Sequence, residues 1–157
     1  MCPVDYTKVF AVDVLEKSTR ELCENATNSR KSMTTALESG DPKSITKATN
    51  EYFGLGWSVL RSIEDINSSY RVPMKSSLKY GWTSSVAENS KRTYEGSVLI
   101  YDLIQTLVSR GVAYNNFAVS LLSNEKYKPA GTALRVAAGI FDVAAKTLIP
   151  KWKNLRT

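Results

Sequence analysis

Gly131-Thr132-Ala133-Leu134-Arg135-Val136-Ala137-Ala138-Gly139-Ile140-Phe141 is the stretch that decides the fold. Small residues sit beside large ones, as in a tightly packed helix. Ala137, Ala138 and Gly139 leave room for a neighbouring helix to approach closely. Leu134, Phe141 and Leu148 recur at a spacing of seven, which puts them on one helical face. Pro150 is expected to stop the helix, with Lys151 at its negative end. The string therefore predicts a helix over 130–149 whose apolar face needs helical company.

Working outward, the same periodicity recurs upstream. Residues 90–123 read as one long helix, with Tyr94, Val98, Tyr101, Leu103, Ile104, Leu107 and Val108 on a wide apolar face and Gly111 at a candidate bend. Residues 44–66 form another, with a stripe of Ile45, Ala48, Tyr52, Leu55, Val59 and Ile63. Gly54 and Gly56 inside it weaken the helix, each by about 1 kcal/mol relative to Ala, but would permit a close crossing. Residues 8–37 are helical too, with a possible break in the polar stretch 25–35 and a clean end at Gly40-Asp41-Pro42. Between these, 67–77 is a loop carrying Pro73, and residues 78–82 alternate apolar and polar as a short strand does. One strand needs a partner, which the pattern does not identify. The fold class is thus all-α or nearly so: long antiparallel helices with one short extended segment near 78–82.

Composition bounds the rest. At 157 residues, with 43% apolar and 23% charged residues, the chain is about one ordinary globular domain. It holds no apolar run long enough to span a membrane, and its start does not read as a signal peptide. Cys2 and Cys23 are the only cysteines, which argues for a reducing compartment rather than a disulfide scaffold. The net charge of +6 is uneven: residues 1–40 carry −1 and residues 41–157 carry +7. The later part suits anionic partners such as lipid headgroups or acidic protein segments, although a solvated basic surface accounts for it as well. Nucleic acid is not indicated, because the basic residues are scattered singly without an arginine–aromatic ladder.

Chemistry is hard to find. The chain contains no histidine, which removes His-based triads and most zinc sites, and two cysteines alone build no metal centre. Glu64 and Asp65 are neighbours on a helix and diverge, whereas a catalytic carboxylate pair must converge. Glu88 and Glu95 lie two helical turns apart, a spacing that lets one of them be buried and paired. The expectation is no enzyme, no cofactor and no metal. Most aromatics at helical spacing read as core anchors. Trp152, between Lys151 and Lys153 after Pro150, is the one aromatic placed for exposure, where it would suit a membrane interface or a partner contact.

Four strings in order carry a resemblance: Tyr52-Phe53 in a helix, Tyr80-Gly81-Trp82-Thr83 after a Pro-bearing loop, Tyr94-Glu95 opening the long helix, and Leu134 through Phe141 ending at Pro150-Lys151. Together they resemble the Bro-one domain family of ALIX-like adaptors, most closely its small Bro-domain-only members, over about residues 45–155. The resemblance implies that 1–157 is a single, partial Bro-type domain with a curved, solenoid-like helical core. It implies a cytoplasmic protein recruited to endosomes, where it binds the C-terminal helix of filament-forming ESCRT subunits as a helix in a groove. The matching residues Trp82, Glu95, Gly139 and Phe141 look like framework positions. The family's groove is built mainly by helices beyond the matched stretch, so the resemblance transfers no partner-binding residue. The leading strand that such domains carry, not evident in residues 1–10, would be the natural partner of 78–82. A face containing Val136, Ile140 and Val143 is expected to be left for association, or else to leave the chain marginally stable. The alternatives are a basic helical bundle that binds anionic membrane directly through Trp152 and its lysines, or a truncated fragment without independent function.

Overall fold

A computed structural model describes residues 4–9, 17–64, 79–83, 93–96 and 98–154. The order is α1 (Tyr6–Val9), α2 (Lys17–Ser39), α3 (Pro42–Glu64), β1 (Tyr80–Thr83), β2 (Thr93–Gly96), α4 (Leu99–Ser123), α5 (Tyr127–Val143), a π-helical turn (Ala144–Leu148) and α6 (Ile149–Asn154). The chain is mostly helical with one small antiparallel hairpin, as the periodicity implies. Among the described residues no helix is long and apolar enough to cross a membrane.

Helix α2 buries Cys23, Ala26, Arg30 and Met33, a stripe at steps of three and four, and runs unbroken through the polar stretch 25–35. Its end is set by Gly40 at φ +71°, a left-handed residue that side chains disfavour. Asp41 then caps α3: its Oδ2 accepts from the backbone N–H of Ser44 at 2.8 Å and from Ser44 Oγ at 2.6 Å, while Pro42 fills the first helical position. The buried face of α3 is Ile45, Thr49, Tyr52, Gly56, Val59 and Leu60, so Thr49 and Gly56 hold inner positions that the apolar pattern alone assigns to Ala48 and Leu55. Gly56 lets α4 approach closely there, since a Cβ on it would stand 2.8 Å from the Leu103 side chain and force that side chain to shift. Helix α4 is buried nearly all round from Leu99 to Leu107 and forms the centre of the molecule, touching α3, α5, β1, the π turn and α6.

Three expectations change. The long helix starts at Leu99 rather than residue 90, and Tyr94-Glu95 lie in β2 instead of at a helix opening. β2 is the missing partner of the extended segment, paired antiparallel with Trp82 opposite Tyr94 and Gly81 opposite Glu95. The β-branched Thr and aromatic Tyr of Thr93-Tyr94 suit a pleated edge, and Gly96 admits the Tyr101 ring at the turn into α4, where a Cβ would collide with it. Accordingly residues 6–9 form a short helix and supply no strand. Pro150 does not end the last helix, which continues to Asn154. A proline forfeits an N–H and crowds the carbonyl four residues back. The π turn immediately before it bonds at wider spacing, Ile149 N–H to the Ala144 carbonyl, and carries the helix past the conflict.

The deciding stretch lies in α5. Ala130, Ala133 and Ala137, then Ala144 and Leu148, face inward, and Ile140 is half-buried against the core. The close approach comes from these alanines; Gly139 faces open space, with nothing within 4 Å of a built Cβ. Leu134 and Phe141 are 41% and 38% exposed while Leu148 is 1% exposed, so the heptad set does not share one environment. Leu134 and Phe141 keep similar exposure within α5, and the break comes across the π turn, whose wider winding rotates Leu148 into the core.

Candidate functional site

The feature that ties the fold together is a buried ion pair that neither partner's surroundings advertise. Arg30 in α2 is 1% exposed and Asp102 in α4 is 0% exposed. The guanidinium donates through Nε to Asp102 Oδ2 and through Nη2 to Oδ1, both at 2.9 Å, a bidentate fork. Tyr52 of α3 donates its hydroxyl to Oδ2 at 2.5 Å, and Trp82 of β1 donates its indole Nε1–H to Oδ1 at 2.7 Å. A carboxylate offers about four lone-pair sites, and here all are engaged. The network extends to Tyr6 of α1, whose hydroxyl lies 2.5 Å from that of Tyr52 and receives Tyr80 at 3.5 Å. The Arg30 guanidinium also sits 5.5 Å from the centroid of the Tyr80 ring.

Four elements therefore meet at one carboxylate, α2, α3, β1 and α4, and α1 joins them through the Tyr6–Tyr52 hydroxyl contact. Their electrostatics follow from burial. Burial, and then the nearby Asp102 and neighbouring phenols, push the Tyr6 and Tyr52 hydroxyls well above the ordinary tyrosine range, and burial pushes Tyr80 up as well. Burial by itself pulls Arg30 down, but hydrogen bonding and attraction to Asp102 more than offset it and leave the guanidinium more firmly charged than in water. With four donors on its two oxygens, Asp102 fixes the relative positions of the side chains that surround it.

Of the framework residues expected from sequence, Trp82 belongs to this network. Phe141 is not part of it; its ring lies over Gly111 of α4, where a Cβ would stand 2.6 Å away. Glu95 and Gly139 are exposed and join no common site with Trp82. Trp152 is not the exposed aromatic expected of it. It is half-buried, 5.6 Å from the Tyr101 ring, because the helix runs on past Pro150 and α6 lies against α4. Lys151 is exposed with its ammonium 5.1 Å from the Trp57 centroid; the side chain of Lys153, together with Glu64, Asp65 and Glu88, lies outside the described residues. Arg30, Asp102, Tyr6 and Tyr52 were not singled out as a site by periodicity. The available signal was an arginine inside the buried stripe 23-26-30-33 and a lone carboxylate within the apolar run 98–108, each a charge where a core residue belongs.

A cleft of about 360 Å³ lies between the α2–α3 turn, β1 and α4, lined by Leu37, Glu38, Trp82, Gln105 and Val112 among others. On the α4–α5 hairpin, Phe117, Val119, Leu122, Leu134, Val136 and Val143 are exposed. Of the face expected to mediate association, Val136 and Val143 are thus exposed, while Ile140 is half-buried against the core. No protein-family model, curated protein or solved structure matches the chain.

Proposed function

We propose that the protein is a non-enzymatic interaction scaffold of the ALIX-like Bro domain type, acting in the cytoplasm at endosomes by binding the C-terminal helix of ESCRT filament subunits. The observation that carries this reading is the α4–α5 hairpin, which presents Phe117, Val119, Leu122, Leu134, Val136 and Val143 to solvent on a rigid helical base. Apolar side chains held on packed helices suit an amphipathic helix laid alongside them. The saturated Arg30–Asp102 clasp supports it further, since it locks helices and hairpin together without offering a reactive group.

Titration of the purified chain with a fluorescent C-terminal helix peptide from an ESCRT filament subunit tests the proposal. Saturable binding, weakened at least about tenfold by Leu134→Glu or Phe117→Glu, is the expected result. Both positions are exposed, so the variants keep the fold. Absence of binding at millimolar peptide overturns the reading. Direct binding to anionic membrane is the second reading, favoured by the exposed cations Lys43, Lys47, Lys126, Lys128 and Lys151. Vesicle pelleting that collapses as salt rises supports it.

A further inference from the structure

Helix α4 has a second flank, opposite the cleft lined by Gln105 and Val112. There a cavity of about 420 Å³, open to solvent, lies between the first half of α3 and the second half of α4. Lys43, Lys47 and Asn50 line it from α3, at spacings of four and three that put them on one face. Arg110 and Tyr114 line it from α4, one turn apart. The lining therefore holds three cations and no carboxylate.

Such a cluster repels itself unless something negative joins it. Among the described residues none of the three cations forms a salt bridge. Asp41 feels the charge of Lys43 but already accepts from Ser44 N–H and Oγ as the cap of α3. Arg110 supplies the sharper sign. Its Nε–H is buried and meets no acceptor among the described residues, while its guanidinium is held 5.9 Å from the Tyr114 centroid. Buried donors are nearly always satisfied, so a donor of this kind, on a guanidinium held by an aromatic ring in a cavity that two lysines also line, marks where an acceptor belongs.

We propose that this cavity binds a small polyol carrying two or more phosphomonoester groups. The charge matches: each such group carries about −1.5 to −2 at neutral pH, so two of them balance three cations. The size matches too, since small-molecule sites run from about 300 to 1,000 Å³ and this one exceeds what a single inorganic phosphate fills. Arg110 forks onto one phosphate, Lys43 and Lys47 bracket it and its neighbour as point charges, and Asn50 and the Tyr114 hydroxyl hydrogen-bond the polyol. The cations converge on one concavity and form no stripe, which favours a small ligand over a nucleic-acid strand. This inference stands apart from the scaffold reading, because it uses none of the apolar hairpin residues.

The test is calorimetric titration with inositol trisphosphate, beside pelleting on phosphatidylcholine vesicles doped with phosphatidylinositol bisphosphate or with phosphatidylserine to equal charge. Nitrogen-edited NMR follows the Arg110 Nε–H during the titration. Saturable binding with a shift of that resonance is expected, weakened about ten- to a hundredfold by Lys43→Gln with Lys47→Gln, both exposed and harmless to the fold, and unchanged by Lys31→Gln with Lys128→Gln. Arg110→Gln is the third variant and gives the same loss. Tighter binding to the bisphosphate vesicles than to the soluble probe identifies a membrane headgroup as the source; equal or tighter binding of the soluble probe identifies a free metabolite. No heat and no Arg110 shift, an equal loss from the control lysines, or equal pelleting on phosphatidylserine vesicles overturns the proposal.

Discussion

Asp102→Asn removes one charge and turns one of two acceptor oxygens into a donor, while leaving the shape of the side chain intact. The carboxylate now serves four donors: Arg30 Nε and Nη2, the Tyr52 hydroxyl and the Trp82 indole. Asparagine satisfies at most two. The guanidinium of Arg30, 1% exposed, would be left without its counter-charge. Breaking a buried pair in this way costs about 3–5 kcal/mol. A further stranded neutral donor adds about 1–3 kcal/mol. Set against a domain stability of roughly 5–15 kcal/mol, the variant should stand near the edge of unfolding. The double variant Arg30→Met/Asp102→Leu removes both charges together and strands only the Trp82 N–H and, in part, the Tyr52 hydroxyl, which keeps Tyr6 as a neighbour. It should be less damaging than the two single changes summed, by at least about 2 kcal/mol. Urea unfolding followed by tryptophan fluorescence and far-ultraviolet dichroism measures all of these. A loss under about 1 kcal/mol for Asp102→Asn, or strict additivity in the cycle, would refute the view that this carboxylate clasps four elements.

Two further outcomes follow from the same packing. Gly54→Ala should stabilise α3 by about 1 kcal/mol, since nothing lies within 4 Å of a Cβ there, whereas Gly56→Ala should be neutral or destabilising by up to about 2 kcal/mol because the fully buried Leu103 blocks the methyl group; thermal melts of the two variants should move apart. Alkali should unfold the protein through its buried phenols. The folded forms of Tyr6, Tyr52 and Tyr80 hold their protons above the ordinary range, so the unfolded chain binds fewer protons and stability falls as pH rises beyond about 10. Each tyrosine contributes at most about 1.4 kcal/mol per pH unit, so Tyr52→Phe should flatten the decline seen in denaturant melts between neutral and alkaline pH, although it also forfeits the bond to Asp102.

Much of the architecture can be read from the residues alone. Steps of three and four announce α2, α3 and α5, and Gly40-Asp41-Pro42 marks its turn with a left-handed glycine, a capping carboxylate and a first-turn proline, all of which act locally. The absence of histidine and the uneven charge are likewise properties of composition. What failed were the places where a distant contact outweighs a local preference. Tyr94-Glu95 continues a helical period, yet pairs as a strand because Trp82 and Gly81 are there to receive it. Pro150 is a stop signal, yet a π turn and the packing of Trp152 on Tyr101 carry the helix past it. Arg30 and Asp102 are 72 residues apart, and no local pattern couples them. The cavity of Lys43, Lys47 and Arg110 likewise exists only once α3 lies along α4. Helical periodicity is a property of neighbours along the chain and so is written in the sequence. Ion pairs, strand partners and cavities are properties of neighbours in space, and those appear only when the core has brought the helices together.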